Sequence, residues 1–209
     1  YFQDEGTTLL VSFEPLAAIL ARPDRLPLAS ALAKAHGWSV LTLIADGDTW
    51  FRDPAVYSYF DRQVDDAFFE DFDRVLFYGA GMGGYAACAY SVCAPGATVL
   101  AVNPRATLDP AVAGWDKRNT DARRLDFTTR YGYAPDMTEG AARVFVIYDP
   151  LLPENAMHAA LFRADGEGIE GARLGRGRGG RLRLRRGFGC LRFGGARRGG
   201  LRRGLFGGS

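Results

Sequence analysis

The chain is poor in the residues that most often carry chemistry. Two histidines, three cysteines and three methionines are spread over 209 residues. Cys88, Cys93 and Cys190 have no metal-ligand spacing and are odd in number, so a reduced, cytoplasmic protein is expected. No spaced set of histidines and acids suggests a metal site, and none is expected. No apolar run reaches the ~20 residues of a membrane-spanning helix, so no membrane partner is expected. No secretory leader is visible. The chain starts at Tyr1 without a methionine, so its N-terminus reads as incomplete or processed, with Tyr1-Phe2-Gln3 as a remnant of a longer segment.

What is present divides into two kinds of sequence. Residues 1–164 carry 14 basic and 21 acidic residues, and residues 165–209 carry 12 arginines and 3 acids. The second segment also holds 16 of the 27 glycines and no lysine. With 47% hydrophobic residues, the chain can build one core, and that core belongs in 1–164. The Arg/Gly-rich remainder has too few apolar residues to bury a core, and disorder is expected there.

Strand and helix signals alternate through the first segment. Thr7–Phe13, Trp38–Ala45, Arg74–Tyr78, Ala97–Val102 and Arg143–Tyr148 read as buried strands. Leu26–His36 reads as a helix stopped by Gly37. Asp53-Pro54 starts another, running to about Phe69, and Glu154–Phe162 is the last. Asn103–Gly140 is polar and irregular, with a short helix near Asp121–Thr129. The pattern predicts an α/β three-layer sandwich with a mostly parallel sheet of about five strands and crossovers on both faces. Ligands of such sheets bind beyond the carboxyl ends of the strands, at Glu14, Asp46, Gly79–Gly84, Asn103 and Asp149.

Tyr78–Tyr85 (YGAGMGGY) can be read in two ways. As G-x-G-x-x-G, through Gly79, Gly81 and Gly84, it would cradle a dinucleotide and make the chain a nucleotide-binding enzyme such as an oxidoreductase. That motif belongs after the first strand of its unit, and an acid should end the next strand. Here two strand–helix units precede it, and the next strand ends Val102-Asn103-Pro104. A sulfonucleotide reductase lacks support too: there is no S-G-G-x-D-S loop, and Cys190 stands in Phe188-Gly189-Cys190-Leu191. As G-x-S-x-G the stretch is a nucleophile elbow with glycine in the serine's place.

Phe77–Ala87 resembles the elbow F-Y-G-x-S-M-G-G-Y-A-A of serine hydrolases. Residues 7–162 thereby resemble the α/β-hydrolase superfamily, in particular short bacterial members with a segment like Leu43–Phe51. The resemblance implies a triad acid at Asp149, after the fifth strand, with His158 close behind it. It also implies Gly79 and Gly83 as the small residues flanking the nucleophile position, Gly81. The departures imply a degenerate, non-catalytic protein. Gly81 brings no oxygen for an acyl-enzyme. The final strand and its histidine loop are expected to be missing, because the chain enters the Arg/Gly tail. His158 follows the acid too soon to be the usual base. Backbone N–H groups of Met82 and the helix start could still bind an anion or a carbonyl oxygen. The ligand-binding set is therefore Glu14, Asp46, Gly79, Gly81, Met82 and Gly83, for a small acyl or carbonyl ligand, with no cofactor.

Simpler roles compete. Asp46-Gly47-Asp48 and Asp149-Pro150 also make turns. His36 suits a helix C-terminus, and Cys88 and Cys93 suit a small-residue core. Trp50-Phe51 and Tyr57–Phe60 suit core and cleft wall. The Arg-Gly pairs of the tail resemble RNA-binding segments, so a nucleic-acid partner follows if the tail is native. An out-of-frame C-terminus would account at once for the composition change near Asp165, the missing strand and the lost histidine.

Overall fold

The computed structural model describes residues 1–165, 169–176 and 182–186. Its elements in chain order are β1 (Thr8–Pro15), α1 (Leu16–Leu20), α2 (Leu28–His36), β2 (Ser39–Ala45), α3 (Pro54–Asp65), β3 (Arg74–Ala80), α4 (Met82–Ala89), β4 (Thr98–Val102), α5 (Pro110–Ala113), β5 (Arg143–Tyr148), α6 (Pro153–Asp165), β6 (Ile169–Arg176) and β7 (Leu182–Arg186). Short 3-10 turns at Phe68–Asp71, Ser91–Cys93, Thr120–Arg124 and Asp136–Thr138 join them. Among the described residues no helix is long and apolar enough to cross a membrane.

Local chemistry sets the helix ends. Gly37 adopts the left-handed conformation (φ 64°, ψ 39°) that closes α2, as its sequence position predicts. Asp53 accepts from the Ala55 N–H at 2.8 Å with Pro54 in the first turn, and Asp109 repeats the device on Ala111 before Pro110. α3 stops at Asp65 rather than near Phe69, because Ala67 turns to positive φ and Phe68–Asp71 forms a tighter turn.

The sheet order is β2-β1-β3-β4-β5-β6-β7. The first six strands are parallel, and β7 runs antiparallel to β6. The sheet thus continues past the five expected strands. Ile169–Arg176 pairs with β5, in the place where the last strand was expected to be missing. A parallel ladder needs only backbone groups and a register, so an Arg- and Gly-bearing segment can still join it. Leu182–Arg186, also in the segment expected to be disordered, forms β7 against β6. The remaining residues expected to form a disordered or out-of-frame tail (166–168, 177–181 and 187–209) lie outside those described. The larger core joins β1, β3, β4 and β5 to α3, α4 and α6 through Phe13, Phe60, Phe77, Tyr90, Val99, Val146 and Phe162. A smaller one joins α2 to β1 and β2 through Leu10, Ala29, Ala33 and Val40.

Candidate functional site

β3, in mid-sheet, ends at Ala80, and α4 begins at Met82. The single residue between them, Gly81, has φ 57° and ψ −116°. This sharp strand–turn–helix is the geometry of a nucleophile elbow. Its N–H donates to the Val102 carbonyl at 2.8 Å, and its carbonyl accepts from Tyr85 N at 3.1 Å, so both sides of the turn are tied down. A Cβ added at Gly81 would meet nothing within 4 Å. Conformation, not crowding, favours glycine there. The flanking glycines are the opposite case. A Cβ on Gly79 would lie 2.0 Å from the Gly83 carbonyl oxygen, and one on Gly83 would lie 2.1 Å from that of Phe13. One on Gly84 would press on the carbonyls of Val102 and Gly79 at 3.1 and 3.2 Å. These glycines let α4 seat against β1, β3 and β4, so their presence is explained without a pyrophosphate.

The turn after β2 forms one wall. Trp50 and Phe51 both have positive φ, 52° and 55°, a conformation costly for residues with side chains. Contacts hold them there. Trp50 N–H points at the Met82 sulfur, 3.1 Å away, and the Trp50 ring meets Tyr85 and Phe127 edge-on. Tyr90 Oη donates to the Phe51 carbonyl. Arg52, 6% exposed, then ties this wall to the long connection between β4 and β5. Its guanidinium donates to the carbonyls of Asp126 (2.8 Å) and Arg130 (2.7 Å), to Thr129 Oγ1 and to Tyr85 Oη. It also lies over the rings of Tyr57 and Phe127. Tyr85 Oη donates onward to the Tyr131 carbonyl at 2.6 Å. No local pattern in the sequence marks Arg52: its carbonyl acceptors lie more than seventy residues away.

The other expected site residues are dispersed. The Glu14 carboxylate, 4% exposed as a residue, accepts from Leu28 N and Ala29 N and pairs with Arg22 at 2.7 Å. It caps α2. Asp46 and Asp48 are exposed on the turn after β2. Asp149 Oδ1 accepts from Leu151 N at 3.0 Å, which closes an Asx turn. Cys88 is buried in α4, which pushes its thiol up, and burial pushes Cys93 up to about 11. Neither is a thiolate near neutral pH. His36 stacks on Trp38 at the end of α2.

His158 is fully buried in a cluster the sequence did not reveal. Nδ1 accepts from Ala106 N at 3.1 Å, so Nε2 carries the proton and donates to Asp116 Oδ2, also at 3.1 Å. Arg118 clasps the same carboxylate through Nε (2.9 Å) and Nη2 (2.7 Å), and donates to Asn155 Oδ1. Arg105 Nε stands 3.4 Å from Asp116 Oδ2. Burial holds His158 down to about 4 despite its Asp116 partner. Burial pushes Asp116 up, but hydrogen bonds from Arg118 and His158 outweigh it and hold the carboxyl well below the usual range. Asn103, at φ 47°, joins this cluster to the β5 turn: Oδ1 accepts from Asp149 N and Asn155 Nδ2. His158 is thus a neutral strut between α6 and the β4–β5 connection.

Two clefts of about 280 and 380 Å³ lie elsewhere: one among residues 107–137, the other near Phe69, Phe72 and Cys93–Ala97. Neither is lined by Gly81 or Met82.

No family model matches the sequence, and no curated protein does. Solved structures similar in shape include the esterase rPPE (15% identity, TM-score 0.49). They also include a structure from work on the metagenome-derived lipolytic enzymes LipS and LipT (14%, 0.48) and the esterase Est22 (13%, 0.47). The match to rPPE covers 82% of this chain but only 65% of that one; for Est22 the shares are 82% and 64%, and for the lipolytic enzyme 84% and 86%. The strand order, the six parallel strands and the turn at Gly81 make this an α/β-hydrolase-like fold.

Proposed function

We propose that the protein is a degenerate α/β-hydrolase-like binding protein, which holds a small acyl or carbonyl ligand at the elbow without forming an acyl-enzyme. The observation that carries this reading is Gly81: an elbow backbone, open space at its Cβ position, and no nucleophilic atom. The rest of the chemistry agrees. A hydrolase oxyanion hole takes one N–H from the residue after the nucleophile and another from the loop after the neighbouring strand. The first is available here as Met82 N–H, at the start of α4 where helix geometry leaves donors without intrahelical acceptors. At the second, β1 ends at Pro15, which has no N–H, and α1 begins at once with Leu16, so no loop separates strand from helix. Asp149 is engaged in its own turn and His158 in the Asp116 cluster. One donor suffices to orient a carbonyl oxygen; attack on it needs a nucleophile and a base as well.

The test pairs a fluorophosphonate probe with butyramide titration. The expected results are no covalent labelling, and butyramide-dependent change in tryptophan fluorescence that is lost in Trp50→Phe. Labelling of any residue would overturn the non-catalytic reading, and an unchanged spectrum would overturn the ligand class. In the G81S variant labelling should stay about a thousandfold or more below that of an active serine hydrolase, because among the described residues Asp149 is held in its own turn and His158 by Asp116.

A further inference from the structure

The strand order distributes the helices unevenly. The chain steps one way across the sheet once, from β1 to β2, and the other way at each later parallel connection. Right-handed connections for opposite steps lie on opposite faces. Among the described elements, one face thus receives α3, α4, α6 and the long β4–β5 connection, and the other α1 and α2.

Burial along the strands records this. Val75, Phe77, Val99, Ala101, Val144 and Val146 are buried, while the alternating Leu76, Tyr78, Leu100, Val102, Phe145 and Ile147 are only half-buried. Leu76 and Tyr78 border the α2 cluster, but the last four, on β4 and β5, belong to neither core cluster. Parallel sheets are normally covered on both faces. Beside this floor, Leu28 and Leu32 lie one turn apart on α2 and are 49% and 46% exposed, and Leu20 and Leu26 just before it are 54% and 53% exposed.

Two strands at ~4.8 Å spacing make a strip about 10 Å wide, the width of one helix. The segment after Arg186 is a poor candidate to fill it: nine of its 23 residues are glycine and six are Leu or Phe. The leucine flank of α2 has the needed shape and chemistry. Charge agrees as well. Arg25 and Lys34 are exposed on the α1–α2 segment against one exposed acid there, Asp24, within a domain carrying 21 acids against 14 basic residues, and Glu170 is exposed in register with Phe145 at the rim of the floor.

We propose that this face is the interface of an isologous dimer, in which Leu20, Leu26, Leu28 and Leu32 of each copy cover Leu100, Val102, Phe145 and Ile147 of the other. Floor and flank sit on one surface, so a two-fold axis satisfies both at once. Light scattering coupled to size exclusion over a hundredfold concentration range tests it. The wild type should convert to a dimer as concentration rises. L32E and F145K should each raise the dimer dissociation constant at least tenfold, while V92E, at an exposed apolar residue off this face, leaves it unchanged. Mixing L32E with F145K should restore a dimer, because one flank–floor contact becomes an ion pair and the other stays native. That recovery also shows that both variants fold. A wild type monomeric throughout, a dimer indifferent to both substitutions, or no recovery on mixing overturns the proposal. So does a dimer seen only after truncation at Arg186, which would make the chain's own C-terminal segment the occupant.

Discussion

Gly81 and Gly83 stand two residues apart and are glycine for different reasons. At Gly81 the backbone demands it and the space does not; at Gly83 the Phe13 carbonyl leaves no room for a methyl group. Gly81→Ala should therefore cost about 1–2 kcal/mol, the usual price of side-chain strain at positive φ. Gly83→Ala should cost about 3 kcal/mol, because α4 must move off β1. Urea unfolding of the two variants checks the order, and equal losses would refute the distinction. Arg52→Met tests a different kind of residue. It keeps the apolar stem but strips the donors from the carbonyls of Asp126 and Arg130. A loss of about 3 kcal/mol is expected, since buried acceptors are left bare. Urea unfolding measures it, and a loss below about 1 kcal/mol would show that water or a shift of the loop replaces the guanidinium.

At the scale of elements, the link between α6 and the β4–β5 connection is sensitive to acid. His158 is held down to about 4 in the folded protein and returns to about 6.5 when unfolded. The unfolded chain thus binds the extra proton first as pH falls. The stability contributed by neutral His158 is complete above about pH 6.5 and is lost progressively down to about pH 4. Protonation at Nδ1 would also turn the Ala106 N–H acceptor into a donor. Asp116 adds a second loss further into acid, once its carboxylate is protonated. Thermal melts should show a steeper fall between pH 6.5 and 4 in the wild type than in His158→Gln. Parallel curves would remove His158 from the account. Trp115, whose ring lies 4.6 Å from that of His158, offers a fluorescence readout of the same step.

For the molecule as a whole, the charge split separates two questions. Deleting 187–209 keeps every described strand, including β6, whereas truncation at 165 would remove the sixth parallel strand. If the Arg/Gly segment binds RNA, the full chain should show affinity that falls steeply with salt, and the 1–186 chain should lose at least tenfold. Fluorescence anisotropy with a labelled oligonucleotide reads both. Undiminished binding by 1–186 would place the interaction on the folded domain.

Much of this architecture was legible before folding was considered. The five apolar runs, the Asp53-Pro54 and Gly37 helix signals and the small-residue turn at 79–84 act locally, through backbone geometry and side-chain pattern, so they can be read along the chain. The strand from Ile169 was not legible, because β pairing recruits any backbone that a register allows, whatever its composition. The sequence alone determined an α/β domain with a tight turn at Gly81 and no nucleophile there. Only the tertiary structure decided that Arg52 ties the Trp50–Phe51 turn to the β4–β5 connection, that the Asp116–His158 cluster ties that connection to α6, and that the described helices cover one sheet face only in part. Those facts depend on contacts between residues far apart in the chain and on the direction in which each crossover turns, neither of which leaves a local trace.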